Sequence, residues 1–200
     1  MKIKSRGRAA LLLGLLGFCL LLSACWDKRE LSDTAIVLGV GLDAAGDSLR
    51  LSVELAGPED EGPSLFSVCG EDAAACAEGL EQQLNKTLFW ADAAALLYGG
   101  GLTPAQLGDS GLILYLQLGL PGRTPLLDCG ETTALQVLEG SFGQSEYVGL
   151  GLAEALTRER EQGRESPSLA AMLENELNGR PAPRGRGVSI DSDGVVSLDE

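Results

Sequence analysis

The chain has 200 residues, of which 44% are hydrophobic and 4% aromatic, and it contains no histidine. The missing histidine excludes His-based triads, His general bases and most zinc-hydrolase sites, and the scarcity of aromatics argues against stacking platforms for sugars or bases. The formal charge is −14. With Lys2, Lys4, Arg6 and Arg8 set aside, 11 Lys+Arg face 29 Asp+Glu, a balance of −18 that repels nucleic acid and anionic head groups.

Those four cations form the basic start of a secretory signal, followed by an apolar stretch from Ala9 to Leu22. Its 14 residues are too few for a ~30 Å hydrocarbon layer, which needs about 20. Leu22-Ser23-Ala24-Cys25 closes the stretch with small residues before a cysteine, as a lipoprotein signal peptidase requires. Acylation of Cys25 would anchor the chain to a bilayer without spanning it. The plainer alternative is an ordinary signal peptide that ends near a cysteine. Residues 1–24 are therefore read as signal peptide and 25–33 as a membrane-proximal tether.

Thr34 to Gly41 is β-branched and apolar, a strand. Asp43 to Asp47 reads as a turn. Ser48 to Leu55 alternates Leu49, Leu51, Val53 and Leu55 with Arg50, Ser52 and Glu54, which predicts a half-buried strand in a hairpin with the first. Gly57 to Pro63 is a loop. Glu71 to about Lys86 takes helical spacing, with Ala73, Cys76, Ala77, Leu80 and Leu84 on one face. Ala93 to Tyr98 reads as a buried strand. Thr103-Pro104 caps a helix from Leu107 to Leu118 that Gly108 and Gly111 weaken. Thr124 to Cys129 is a short strand, Thr132 to Glu139 a short helix and Ser145 to about Gln162 a longer one. Ser168 caps an amphipathic helix carrying Leu169, Met172, Leu173 and Leu177, which stops at Asn178-Gly179. Arg180 to Gly187 is a linker by composition. Val188 to Leu198 reads strand, Asp193-Gly194 turn, strand, and a lone hairpin of that kind is marginal in water.

Three cysteines remain after Cys19 and Cys25. Their spacing fits no zinc motif. Cys69 and Cys76, placed in one helical stretch, would lie about 10 Å apart along its axis, too far for a disulfide. A Cys69–Cys129 bridge and three small buried hydrophobes both stay open.

Gly39-x-Gly41-x-x-Ala44 imitates a dinucleotide-binding turn, but a strand follows where the phosphate-binding helix is needed. Asp191-x-Asp193-Gly194 lacks the further ligands of a calcium loop and reads as a turn. Gly149-x-Gly151 suits close helix packing, or else merely weakens its helix. Glu59-Asp60-Glu61 is solvated surface. No residue is expected to be catalytic, to bind a cofactor or to ligate a metal.

The run Leu22-Ser23-Ala24-Cys25-Trp26-Asp27-Lys28-Arg29-Glu30-Leu31 resembles the start of the Ger(x)C spore germination lipoproteins, the C subunits of nutrient germinant receptors. In that family Trp-Asp and then Arg-Glu-Leu follow the acylated cysteine, and a strand ending in Gly-x-Gly-x-Asp comes next, matched by Gly39, Gly41 and Asp43. Leu88-Phe89-Trp90-Ala91-Asp92 and Ala93 to Gly99 look like the segment leading into the family's third strand, with Asp92 where a histidine is expected. Thr132 to Glu139 is similar to a family helix, and Pro181-x-Pro183 falls where a proline-bearing connection leaves the first domain. The family's C-terminal half has no counterpart.

The resemblance implies a domain at 34–179 and, at 180–200, a linker with the start of a truncated C-terminal region. The fold class expected is α/β, a central mixed sheet that begins with the N-terminal hairpin and carries helices. The function implied is that of a non-catalytic subunit on the outer face of the spore inner membrane, partnered by two multi-pass receptor subunits, A and B, with no direct nutrient contact expected. The alternatives are a solute-binding lipoprotein, disfavoured because such proteins usually need two lobes, and an envelope enzyme, disfavoured by the absent motifs.

Overall fold

A computed structural model describes residues 33–57, 62–99 and 101–199. The signal segment, Cys25, nearly all of the tether and Glu59-Asp60-Glu61 lie outside the described residues.

The fold grows from the N-terminal hairpin. β1 (Thr34–Ala45) and β2 (Ser48–Leu55) pair antiparallel around Gly46-Asp47, with Ala45 opposite Ser48. Gly46 takes φ 64°, a conformation that costs an L side chain energy and glycine nothing. The strand outruns its expected end because Asp43, Ala44 and Ala45 each find a partner on β2. The register shifts between Val37 and Gly39, and one edge of β1 thereby serves two neighbours. Thr34–Ile36 pairs in parallel with β4 (Thr87–Phe89), and Gly39–Asp43 pairs in parallel with β5 (Ala95–Gly99).

β3 (Ser64–Gly70) lies antiparallel on β2. It is a strand, so Cys69 is extended where a helical stretch shared with Cys76 is expected. α1 (Ala73–Leu84) follows at once, capped by Asp72, whose carboxylate accepts from Ala75 N at 2.8 Å, and it ends on Asn85 at φ 51°. α2 (Pro104–Leu116) starts with the reciprocal Thr103/Gln106 capping box. β6 (Leu126–Asp128) pairs in parallel with β5. Then come α3 (Ala134–Leu138), α4 (Val148–Glu161) and α5 (Leu169–Leu177), the last capped by Ser168 as expected.

β7 (Arg186–Ile190) and β8 (Val196–Leu198) close the chain. They are not a lone hairpin. β7 pairs in parallel with β6 and β8 antiparallel with β7, which makes one eight-stranded sheet of order β3-β2-β1-β5-β6-β7-β8 with β4 beside β1. The segment leading into β7 is tied down as well: Gly185 N donates to the Tyr98 hydroxyl at 2.8 Å, and Arg184 pairs with Asp128 at 2.8 Å. Thr34 onward forms a single unit.

This is an α/β fold with a mixed sheet and helices on both faces. α1, α2 and α5 cover one face over a core that includes Leu51, Leu80, Leu96, Leu114 and Met172. α3 and α4 cover the other over Leu97, Leu127, Val137 and Leu152. The expectation that β2 is half-buried therefore fails. Its polar side is roofed by α3 and α4, leaving Ser52 and Glu54 as buried as Leu51. The glycines of α2 have a packing reason. A Cβ at Gly108 would fall 2.8 Å from a Glu176 carboxylate oxygen, and one at Gly111 would collide with the Met172 methyl, both on α5.

Candidate functional site

On the roofed side of the hairpin, cross-strand pairing sets Gly39 opposite Glu54, Gly41 opposite Ser52 and Asp43 opposite Arg50. Paired residues point to the same face. The two glycines leave a trough there, with a buried carboxylate near each end. A Cβ at Gly41 would lie 3.0 Å from Ala134 Cβ, and one at Gly39 would lie 2.9 Å from the Glu54 carboxylate and 3.1 Å from Leu138.

Each carboxylate receives one helix. The first backbone N–H groups of a helix lack partners within it, and at α3 four of them are satisfied. Thr133 Oγ1 accepts from Gln136 N at 3.1 Å, and Gln136 Oε1 accepts from Thr133 N at 3.2 Å. Asp43 takes the remaining two, Oδ1 from Ala134 N at 2.6 Å and Oδ2 from Leu135 N at 3.1 Å. At α4 the N-cap residue, Tyr147, gives no side-chain cap. Glu54 does this from β2, accepting from Val148 N at 2.6 Å and Gly149 N at 2.9 Å. Gly149 fits because it has no side chain: its Cβ would fall 2.7 Å from Gly39 Cα.

Burial pushes both carboxyl groups above their ordinary range. The helix amides, and for Asp43 also Arg50, pull the other way without prevailing. Negative charge at a helix N-terminus is favourable, so each anion is held by its helix and penalised by its burial. Between them the Ser52 hydroxyl is buried without a hydrogen-bond partner. Both oxygens of each acid are engaged by backbone, and Asp43 is 0% and Glu54 1% exposed. Chemically the arrangement is a pair of fixed acceptors that clamp two helices to one hairpin.

Of the residues singled out by the sequence, Gly39, Gly41, Asp43 and Gly149 converge there and the others do not. Gly39, Gly41 and Ala44 all lie within β1, with β2 next, so Gly39 and Gly41 seat helices and face no phosphate. Asp92 is exposed at a cavity of about 320 Å³ between α4 and the approach to β5, also lined by Arg123, Thr157 and Arg160. Asp191 Oδ1 accepts from Asp193 N and Val195 N, a turn as read. Gly151 packs its bare Cα toward Ser145 and Phe142.

Cys69, Cys76 and Cys129 are free thiols. Cys69 stands on β3 and not on the helix of Cys76, a correction that follows from the strand ending at Gly70. Cys76 donates to Leu49 O at 3.4 Å, and burial raises its pKa to about 11. Burial pushes Cys129 further up. Both buried thiols behave as small hydrophobes, whereas Cys69 is exposed.

Among the described residues no helix is long and apolar enough to cross a membrane, and no group of three or more His, Cys, Asp or Glu could hold a metal ion. No family model, curated protein or solved structure matches the chain. The residue that sequence reasoning missed is Glu54. It sat in the polar half of an alternating strand, and its partners are more than 90 positions away.

Proposed function

We propose that this chain is a lipid-anchored, non-catalytic subunit of a spore nutrient-germinant receptor, held at the outer face of the spore inner membrane through Cys25. Its partners are two multi-pass receptor subunits, A and B, which it helps to assemble or to signal. The observation that carries the reading is the Cys25-Trp26-Asp27 to Leu31 run followed by Gly39-x-Gly41-x-Asp43, similar in order and spacing to the Ger(x)C lipoproteins. The use made of the motif supports it: the two glycines and the aspartate together form the seat of α3. A non-catalytic role is supported by the occupancy of Asp43 and Glu54, whose oxygens are engaged by backbone amides and not turned toward a substrate.

Dipicolinic acid release from nutrient-triggered spores tests this. Three strains are compared: native, lacking the gene, and carrying Cys25→Ala. Release is lost in both altered strains while non-nutrient triggers still work. Normal release from all three across a panel of nutrients would remove the assignment.

One observation favours a second reading, capture of a small solute for a transporter. The cavity beside Asp92 brings Arg123 and Arg160 together, and neither forms an ion pair among the described residues. A metabolite that stabilises the purified protein, with the effect lost in Arg123→Ala, would favour that alternative.

A further inference from the structure

Toward its C-terminus, α2 is apolar on the side that faces away from the fold. Leu107, Leu114 and Gly111 face the core, while Leu112, Tyr115 and Leu116 are 41%, 44% and 67% exposed. Asp109, also exposed, belongs to the turn before, so the apolar surface is confined to the C-terminal part of the helix, and exposed large apolar side chains gathered in this way mark an interaction surface. Positions 112, 115 and 116 lie within one turn and make a continuous surface.

The topology puts this surface at one end of the molecule. β5 runs parallel to β1 and brings Gly99 level with Asp43. α2 then returns in the opposite direction, so its C-terminal turn sits at the end where β1 begins. β4 places Phe89, 44% exposed, opposite Ile36 at the same end. Tyr115 lies against Gly122, whose Cβ would be 3.3 Å from its ring, and the exposed Arg123 follows. The exposed Lys86 precedes β4. Aromatic and aliphatic side chains edged by cations are the composition of a membrane-interface surface.

From these observations we infer that the Thr34 end of the domain rests on the bilayer, with Leu112, Tyr115, Leu116 and Phe89 in the headgroup region. This inference rests on acylation of Cys25. Eight residues separate Cys25 from Thr34, a reach of at most about 32 Å over the nine steps when fully extended. β1 itself is 12 residues long, about 40 Å. The anchor thus confines the end that carries the apolar surface, and the opposite end is free to stay in water. Asp33 and Asp92 sit at the same end, so apolar contact and not charge makes the attachment, and its depth is insensitive to salt.

The test uses the full acylated chain on phosphatidylethanolamine–phosphatidylglycerol vesicles, in a Cys69→Ser background. An environment-sensitive fluorophore is placed through Leu116→Cys or, at the far end, through Val195→Cys. Both native side chains are exposed, so folding is not at stake. The probe at 116 shifts to the blue and is quenched by spin-labelled lipid, equally in low and high salt, and the probe at 195 does neither. Hydrogen exchange over 112–118 slows on the vesicles. If mass spectrometry finds no acyl group on Cys25 and the chain leaves the vesicles, the anchor reading fails and takes the docking with it. If the chain is acylated and bound but both probes stay equally wet, the docking is wrong and the anchor stands. A blue shift in Cys25→Ala protein without vesicles, at twice the monomer mass, would assign the surface to a second copy and overturn the membrane.

Discussion

Asp43 and Glu54 hold two helix ends with charges that burial penalises, and this tension is measurable. Truncating Glu54 to alanine leaves Val148 N and Gly149 N unpaired in a buried place. An orphaned buried donor costs about 1–3 kcal/mol, so E54A should lower the unfolding free energy by that amount, read as a lower urea midpoint with an unchanged m-value. The pH dependence has a definite sign. Burial raises the folded pKa of Glu54 above its ordinary value of 4.5, so the folded state holds the proton more tightly than the unfolded one. The contribution is fully present below the ordinary value and is lost as pH rises through the raised one. Glu54→Gln removes that titration. The stability of the native protein should therefore decline more steeply than that of E54Q as pH rises across this window, read by denaturant titrations at successive pH values.

Elements formed by local pattern were legible in the sequence, and those formed by distant partners were not. The alternation of β2, the Thr103-Pro104 start of α2 and the Ser168 cap of α5 are chemistry between near neighbours, and the fold retains them. β4 has three residues, too few for a period to show. β3 does carry alternation, with Phe66 and Val68 packed on the core, but the reading of Cys69 as helical hid it. The roof over β2 was invisible because nothing near Ser52 announces a helix whose sequence lies some 90 positions onward. Gly149 shows the difference most directly. Local propensity says that alanine there gains roughly 1 kcal/mol. The seat of α4 says otherwise, since the added Cβ would meet Gly39 Cα at 2.7 Å and the Glu54 carboxylate at 2.9 Å, and backbone cannot give way as a side-chain end can. G149A should be net destabilising by about 1–3 kcal/mol. In a double-mutant cycle its cost should shrink in the E54A background, where one of the two collisions is gone. Additive costs would mean that Glu54 and Gly149 do not share a seat.

At the scale of the whole molecule, the open question in the sequence was where the domain stops. Read by composition, 180–200 is a linker and the start of something else; read by pairing, β7 extends the sheet from β6. Val188 and Val196 are 2% and 3% exposed and pack with Leu127, Val137 and Leu152 in the core beneath α3 and α4. β8 also reaches across to the end of α3, where Ser141 N donates to Gly194 O and Val196 N to Ser141 O. Each buried valine contributes about 1.5–3 kcal/mol, so the two together supply about 3–6 kcal/mol. That is a large part of a typical domain stability of about 5–15 kcal/mol. Deleting 184–200 should therefore lower the urea midpoint severely, bare the β6 edge to association and open the α3–α4 core to a hydrophobic dye. The same deletion should weaken the Glu54 clamp, because α3 and α4 share that core with the lost valines. Under an independent-linker arrangement the truncated chain would keep both its midpoint and the pH slope assigned to Glu54. Under the paired arrangement it loses both together, so one denaturation series on a single deletion separates the two.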